Sequence, residues 1–204
     1  MQPNISSLTT SFHYAKSPLV MADIFAQTTS LCCWQRPKNN VVEAYFNHAA
    51  ATSRLELRHV FDIESLKHNL DTLLPIGLGK EQAINDIYQL AEMLTCLFDC
   101  NEVGLRLTAT KTAMCPRFHV DNIPVRMVTT YLGEGTELIP NESANIDDIR
   151  RNKGEFIGHK TQLKTFDVAL LKGSAFEEGH EAAIHRSCSV EEGQWRVLLT
   201  LDPM

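Results

Sequence analysis

Two residues near the middle of the chain have the types and spacing of a metal-binding pair. His119 and Asp121 are separated by a single residue. On a strand, residues i and i+2 project from the same face, so an imidazole and a carboxylate at this spacing can hold one ion. The triplet alone is weak evidence, because a chain with 8 His and 25 acidic residues produces it easily by chance.

A third ligand and a basic residue follow near the end of the chain. His185 and Arg196 lie within the last two predicted strands. Two His and one carboxylate that leave the remaining coordination positions open form the facial triad of non-heme Fe(II) oxygenases. A buried Arg on a neighbouring strand can bind a carboxylate with two parallel hydrogen bonds. The pattern predicts a metal site in which His119, Asp121 and His185 hold Fe(II) and Arg196 binds a carboxylate.

Each of these residues also has a purely structural interpretation. His119 and Asp121 can form a pair at the end of a strand, His185 can be a core histidine, and Arg196 can pair with an acidic loop residue. Thr129 and Tyr131 lie on one strand face, where they can line a co-substrate pocket or simply pack.

Two cysteines lie close to the proposed ligands in sequence. Cys115 precedes His119 by four residues, and Cys188 follows His185 by three. If either thiolate coordinated the metal, the site would be a mixed Cys/His/Asp centre better suited to zinc. The alternative is that both are buried or loop thiols without a role.

The elements that must position these residues change in character along the chain. Helical spacing of apolar residues predicts helices in the first half, and alternation with period two predicts strands after residue 102. This order is typical of an α+β domain with a sandwich- or barrel-like sheet and helices on one outer face. The predicted helices cover 41–51, 63–74, 80–100 and 146–153, and the predicted strands cover 55–61, 103–110, 117–121, 125–132, 165–171, 182–186 and 195–201.

Length and composition favour one soluble domain. The chain has 204 residues, which fits a single domain. We expect residues 1–101 to be mainly helical support and residues 102–204 to carry the metal site. In residues 1–40 the apolar residues show little helical or strand periodicity. The net charge of −6, from 19 basic and 25 acidic residues without a basic stripe, disfavours nucleic-acid binding. No apolar run approaches the roughly 20 residues of a spanning helix. The first residues lack a signal-peptide pattern, so we expect a cytoplasmic protein. The expected partner is a small molecule or another, unknown substrate, and the sequence leaves the oligomeric state open.

The strand half resembles the Fe(II)/2-oxoglutarate-dependent dioxygenases. Residues 126–133 are similar to the strand that follows H-x-D in the prolyl-hydroxylase-like branch, and residues 185–196 are similar to its distal His, Val, Gly and basic residue. The resemblance implies a double-stranded β-helix (a jelly-roll, cupin-like fold), Fe(II) as the metal and 2-oxoglutarate as co-substrate. Trp195 stands where that branch has its basic residue, and Arg196 comes one later. A shift of one residue on a strand reverses the face.

Over most of its length the chain also resembles a bacterial family catalogued as domain of unknown function 1826. This resemblance rests on residues 34–37, 115–121, 128–133 and 198–202. We associate members of that family with zinc-homeostasis gene neighbourhoods. The resemblance therefore implies zinc as an alternative metal, and a non-catalytic metal-binding protein of zinc handling or sensing as an alternative function.

Overall fold

A computed structural model describes residues 10–204, which form two β-sheets, four α-helices and one 3-10 helix. The strands are β1 (Phe12–Ala15), β2 (Leu31–Trp34), β3 (Glu56–Asp62), β4 (Glu102–Thr110), β5 (Val125–Leu132), β6 (Glu137–Ile139), β7 (Thr161–Gln162), β8 (Val168–Lys172), β9 (Ile184–Arg186) and β10 (Arg196–Pro203). The helices are α1 (Asn40–Thr52), α2 (Leu66–Leu73), α3 (Lys80–Phe98) and α4 (Ile146–Arg151), and the 3-10 helix spans Pro18–Phe25.

The larger sheet has seven strands in the order β1-β2-β8-β5-β10-β4-β3, and the smaller has three in the order β7-β6-β9. The pair β1–β2 is parallel, and the other neighbouring pairs within residues 10–204 are antiparallel. The predicted combination of helices with a large sheet is confirmed. The helices predicted over 41–51 and 80–100 and the strands predicted over 103–110 and 125–132 agree with the structure to within two residues at each end.

Strand β10 lies inside the larger sheet and has different surroundings on its two faces. Val197, Leu199 and Leu201 belong to the main apolar core. Leu198 and Thr200 point the other way and line a cavity. Strand alternation therefore separates an apolar face, which packs against helices, from a face that is available for chemistry.

The helices α1, α2 and α3 supply one side of the main core, and the inner strands of the larger sheet supply the other. The start of α1 is fixed by Asn39, whose side chain accepts hydrogen bonds from the first backbone N–H groups of the helix. The apolar residues of α3 recur at helical spacing and are buried; they are Ala83, Ile84, Ile87, Leu90, Ala91 and Leu94. Among helices in the described part of the chain, none has the length and apolarity needed to cross a membrane.

A second apolar cluster lies between the two sheets. It joins Val128, Ala169 and Leu171 of the larger sheet to Leu138 of β6 and to Leu163. The smaller sheet is thus packed against the face of the larger sheet that does not carry the helices. His185 is placed by β9, an edge strand of this smaller sheet.

Two parts of the chain differ from the expectations. The predicted strand at 117–121 is wrong: the segment is a loop in which His119 forms a single bridge to His185. Within this segment the Phe118 N–H donates to the Gly154 carbonyl, which follows α4, instead of to a neighbouring strand. The strands β1 and β2, in the first forty residues, were not predicted. Each has four residues, too few to establish an alternating pattern.

A buried ion pair joins the segment after β2 to the helical layer and to β5. The Arg36 guanidinium donates to both carboxylate oxygens of Asp86 on α3, at 2.6 and 2.9 Å. The Tyr131 hydroxyl on β5 donates to the same carboxylate at 2.7 Å. The Arg36 and Asp86 side chains are only 7% and 11% exposed. This three-residue clamp (Arg36, Asp86, Tyr131) fixes the position of α3 on the sheet.

Replacing Asp86 by Ala should destabilise the protein strongly. The substitution leaves the buried Arg36 charge and the Tyr131 hydroxyl without an acceptor, and loss of one partner of a buried ion pair costs about 3–5 kcal/mol. The free energy of unfolding from urea denaturation measures this cost. Asp71→Ala is the control, because Asp71 is 72% exposed beside Lys80 and such a pair contributes about 1 kcal/mol or less. Equal effects of the two substitutions would contradict the role of the clamp.

Candidate metal centre

The structure brings the three predicted metal ligands together. One ligand atom from each of His119, Asp121 and His185 lies within 4.8 Å of the other two. The Nε2 atom of His119 is 3.5 Å from Asp121 Oδ1, and that of His185 is 3.7 Å from Asp121 Oδ2. The two imidazole rings have centroids 4.5 Å apart. Both His Nε2 atoms therefore point at one carboxylate, which leaves space for a single ion among them.

The backbone of the two histidines forms the bridge that creates this arrangement. The His119 N–H donates to the His185 carbonyl at 3.0 Å, and the His185 N–H donates to the His119 carbonyl at 2.9 Å. Residues that exchange both bonds stand directly opposite each other, so their side chains leave the same side of the bridge. The loop that carries His119 is thereby fixed to β9.

Each ring is oriented by its other nitrogen. Nδ1 of His119 is 2.9 Å from the Arg117 carbonyl oxygen, and Nδ1 of His185 is 3.1 Å from the Ala183 carbonyl oxygen. A carbonyl oxygen can only accept, so each Nδ1 carries a proton, and each Nε2 is the nitrogen that would present its lone pair to a metal ion. Metal-binding histidines are held in this way by a backbone or carboxylate partner on the second nitrogen.

Asp121 is held by Arg126, which also binds Asp202. Arg126 Nη1 donates to Asp121 Oδ2 at 2.8 Å, and its Nε and Nη2 donate to the two Asp202 oxygens at 2.8 and 2.7 Å. Burial alone would raise the pKa of Asp121, but the hydrogen bond from His119 and the positive charges that His185 and Arg126 carry at low pH, where this carboxyl titrates, outweigh it and lower that pKa to about 2. The carboxylate is therefore ionised at any ordinary pH, as a metal ligand must be.

The two histidines have different electrostatic environments. Burial lowers the pKa of His185 to about 4, so its imidazole is neutral at pH 7. The hydrogen bond to Asp121 raises the pKa of His119 above its usual value. A metal ion at this position would displace the proton from His119.

A tight backbone contact places the Asp121 loop. Gly173, directly after β8, donates its N–H to the Pro124 carbonyl at 2.8 Å, and the Ser174 N–H donates to the Asp121 carbonyl at 2.9 Å. A Cβ atom on Gly173 would lie 2.0 Å from the Ile123 carbonyl oxygen. Only glycine therefore permits the loop to approach β8 this closely.

Arg196, the predicted carboxylate-binding residue, is buried on the cavity side of β10. It is 1% exposed, and its hydrogen bonds within residues 10–204 go to uncharged oxygens, namely the Glu134 carbonyl and the hydroxyls of Thr130, Thr136 and Ser187. Burial lowers its pKa. A guanidinium without a carboxylate partner is costly to bury, so the surroundings of Arg196 are suited to an anionic ligand.

The orientations of Trp195 and Arg196 show which of these two adjacent residues faces the cavity side of β10. Trp195 packs against the main core on the helical side. Arg196 has the same parity along the strand as Leu198 and Thr200, which line the cavity. Its contacts Thr136 and Ser187 line that cavity as well, so Arg196 lies directly behind the cavity wall.

The structure does not bring Thr129 and Tyr131 to the cavity. Tyr131 stacks on Phe46 of α1, with ring centroids 4.5 Å apart, and belongs to the clamp on the helical face. Thr129 has the same strand parity, and both are fully buried. The hydroxyl near Arg196 comes from Thr130 instead. Residue type and spacing did not point to Arg126 or Asp202, although each lies an even number of residues from a cavity residue on its own strand, Arg126 from Val128 and Asp202 from Thr200.

Among the described residues, the group that could hold a metal ion contains His119, Asp121 and His185 but neither Cys115 nor Cys188. Cys115 is exposed at the cavity wall. Cys188 is buried, and its thiol donates to the Glu134 carbonyl at 3.2 Å. Burial raises the pKa of Cys188, which disfavours the thiolate that a metal would need.

The centre opens into a cavity of about 510 Å³ on the face of the larger sheet opposite the helices. This volume lies within the range of small-molecule sites, roughly 300–1,000 Å³. Strands β3, β4, β5 and β10 form its floor, and the smaller sheet forms a wall through His185 and Ser187.

Comparisons with known proteins give a family and a fold. The family model described as Protein of unknown function (DUF1826) matches residues 15–202. A dioxygenase for auxin oxidation from rice is similar over 90% of this chain and 76% of its own, with a TM-score of 0.52 and 9% identity. A full-length Neurospora crassa protein, crystallised in complex with alpha-KG, is similar over 94% and 83%, with a TM-score of 0.51 and 9% identity. A search of curated proteins gives no significant match. The likeness to the two structures shows a shared fold.

Asp121→Ala should abolish tight binding of a divalent metal. Loss of a hydrogen-bond partner that merely orients a ligand already costs roughly 10- to 100-fold in affinity, so removing a ligand should cost more than about 100-fold. Calorimetric titration of the metal-free chain with Mn(II), a redox-inert substitute for Fe(II), measures the affinity. Asp147→Ala is the matched control, since that carboxylate is 76% exposed on α4, and it should leave the affinity unchanged. Loss of binding in Cys115→Ser instead would indicate a thiolate site.

Proposed function

The chain belongs to the DUF1826 family, and from its fold and site we propose that it is a non-heme Fe(II), 2-oxoglutarate-dependent oxygenase with a double-stranded β-helix. The observation that carries the proposal is the combination of a His119/Asp121/His185 group with a buried Arg196 that has no carboxylate partner within residues 10–204, on the side of the larger sheet that faces this group. Taken alone, the His/Asp group or the buried Arg196 could serve only to stabilise the fold. Together they supply a metal site and a carboxylate site at the same cavity.

The donor set fits Fe(II). Two imidazole nitrogens and one carboxylate oxygen come from one side, and the cavity lies on the other, so further coordination positions face open space. Structural zinc sites are closed by four ligands, often thiolates, and Cys188 is directed at a carbonyl oxygen instead. These features support iron over a zinc–thiolate centre.

Arg196 fits the distal carboxylate of 2-oxoglutarate. Its Nη1 and Nη2 groups are held at 3.3–3.5 Å by neutral hydroxyls of Ser187, Thr130 and Thr136, which orient the guanidinium without neutralising it. A planar guanidinium binds a carboxylate with two parallel hydrogen bonds. The co-substrate would therefore extend from Arg196 toward the ligand group, with its 2-oxo acid end directed at the metal position.

The other residues of the site position and shield it. Arg126 fixes the Asp121 carboxylate through its second ion pair with Asp202, and the two histidine rings are held by backbone carbonyls. When bound, Fe(II) would supply the dioxygen chemistry that converts 2-oxoglutarate into succinate and carbon dioxide and transfers the second oxygen atom to the substrate. The protein itself contributes orientation and a cavity with limited access to water.

Oxygenase activity is tested with the full chain purified without oxygen. After loading with Fe(II), the protein should bind 2-oxoglutarate and, when air is admitted, release succinate in a metal-dependent reaction. Asp121→Ala should do neither. Stoichiometric zinc in the purified protein, with no 2-oxoglutarate binding after exchange to Fe(II), would contradict the proposal and favour the metal-handling alternative.

Substitution of Arg196 separates co-substrate binding from metal binding. Arg196→Met should weaken 2-oxoglutarate binding by about 10- to 150-fold, which corresponds to the loss of one hydrogen bond between charged groups, about 1.5–3 kcal/mol. Mn(II) affinity should stay unchanged, and Arg196→Lys, which keeps the charge, should lose less. Arg150→Met is the control, because Arg150 is 65% exposed on α4. Wild-type affinity for 2-oxoglutarate in Arg196→Met would show that its carboxylate binds elsewhere.

A further inference from the structure

Two arginines outside the metal centre stand opposite each other on neighbouring strands. Arg58 of β3 and Arg106 of β4 are partners in the antiparallel register, and both line the cavity that contains the His/Asp group. Directly opposite residues have Cβ atoms about 4.5–5.5 Å apart, and like charges at this spacing destabilise the sheet. The cavity floor therefore carries a like-charge pair that folding alone does not favour.

Neither arginine has a carboxylate partner among residues 10–204. Glu56, two residues before Arg58 on the same strand face, is bound to Arg54 at 2.6 Å. On its other side, Arg106 is opposite Thr200 of β10, which is uncharged. Their charges are thus not compensated by neighbours along or across the strands.

The two acidic residues of the cavity are already paired with one arginine. Its two acidic lining residues are Asp121 and Asp202, and Arg126 donates to both, at 2.8 and 2.7 Å. A further lining residue, Arg186, is bound to Glu137. In a chain of net charge −6, Arg58 and Arg106 therefore form a local positive surface that attracts anions into the cavity.

The neighbouring positions on the same floor are suited to an organic molecule. Val60 lines the cavity although it is 41% exposed, and Val128, Leu198 and Met114 add apolar surface. Thr108 also lines the cavity, and its buried hydroxyl has no hydrogen-bond partner in the described part of the chain. An apolar surface with a few convergent polar groups is the usual composition of a ligand site.

We propose that the substrate of this oxygenase is a small molecule with an apolar body and an anionic group, and that Arg58 and Arg106 bind the anionic group. The inference rests on the proposed oxygenase function and adds the class of the second substrate. Neighbouring strands lie about 4.8 Å apart, so Arg106 is one strand and Arg58 two strands from β10, which carries Asp202 next to Arg126 and the metal ligands. The oxidised carbon would therefore lie several bonds from the anionic group.

The anionic group is a carboxylate or a phosphate, since two guanidinium groups bind either oxyanion in the same way. The two sources can be distinguished by direct binding to the metal-free full chain. Phenylacetate and phenyl phosphate are suitable probes, because each joins one apolar ring to one anionic group. Benzyl alcohol is the uncharged comparison.

Calorimetric titration should show that at least one anionic probe binds about tenfold or more tightly than benzyl alcohol. Arg58→Gln/Arg106→Gln should lower the affinity for that probe by about 10- to 100-fold. Arg150→Gln/Arg151→Gln removes the same charge from the exposed face of α4 and should change nothing. Absence of anion binding, or equal binding by wild type and the Arg58/Arg106 variant, would overturn the proposal.

Thermal unfolding excludes a structural explanation for a lost affinity. Removing one like-charge pair should leave the Tm of Arg58→Gln/Arg106→Gln equal to or above that of the wild type. A clearly lowered Tm would show that the two arginines hold the sheet together, and would contradict a binding role. Because the probes are titrated without metal, failure of Fe(II) or 2-oxoglutarate binding overturns the oxygenase proposal and leaves the anion-binding result to be judged separately.

Discussion

The two-sided burial of β10 is the constraint on which the site depends. This strand pairs with β5 on one side and β4 on the other, so it cannot shift by one residue without exchanging its two faces. Leu199 and Leu201 are fixed in the helical core, and the alternate residues must then face the cavity. Burial of apolar side chains on one face thus provides the free energy that holds Arg196, an unfavourably buried cation, in place on the other.

The metal centre depends on contacts between parts of the chain that are far apart in sequence. His119 and Asp121 lie on a loop, and their positions are set by the bridge to His185 and by the close approach of Gly173 to the Asp121 loop. Arg126 connects this loop to β10 through Asp202. A loop that is attached at three places can position a ligand as accurately as a strand, which is what a coordination site requires.

The sequence predicts regular elements and ligand types well, and it predicts loops and strand faces poorly. The helix 80–98 and the strand 125–132 have long periodic patterns, so local sequence is sufficient for them. Residue type and order predict His119, Asp121 and His185 as a group, and the structure brings these side chains together although 117–121 is not a strand. For Thr129 and Tyr131 both pocket lining and packing stay open from the sequence, because nothing in the local alternation says which face of β5 carries the helices. That information comes from tertiary contacts with α1 and α3.

Tyr131 shows how the two faces are connected. Between Leu198 and Val197 of β10, the pairing on β5 moves from Thr130 to Leu132, so Tyr131 is an extra residue in the ladder. A bulge leaves its extra residue unpaired in the ladder, and the bond from the Tyr131 hydroxyl to Asp86, itself bound by Arg36, anchors this residue on the helical face. The same bulge leaves Thr130 facing Arg196 on the cavity face. Arg36 and Tyr131, which lie in two of the segments by which the chain resembles a family, therefore have a structural function: through Asp86 they anchor the bulged part of β5 next to Arg196.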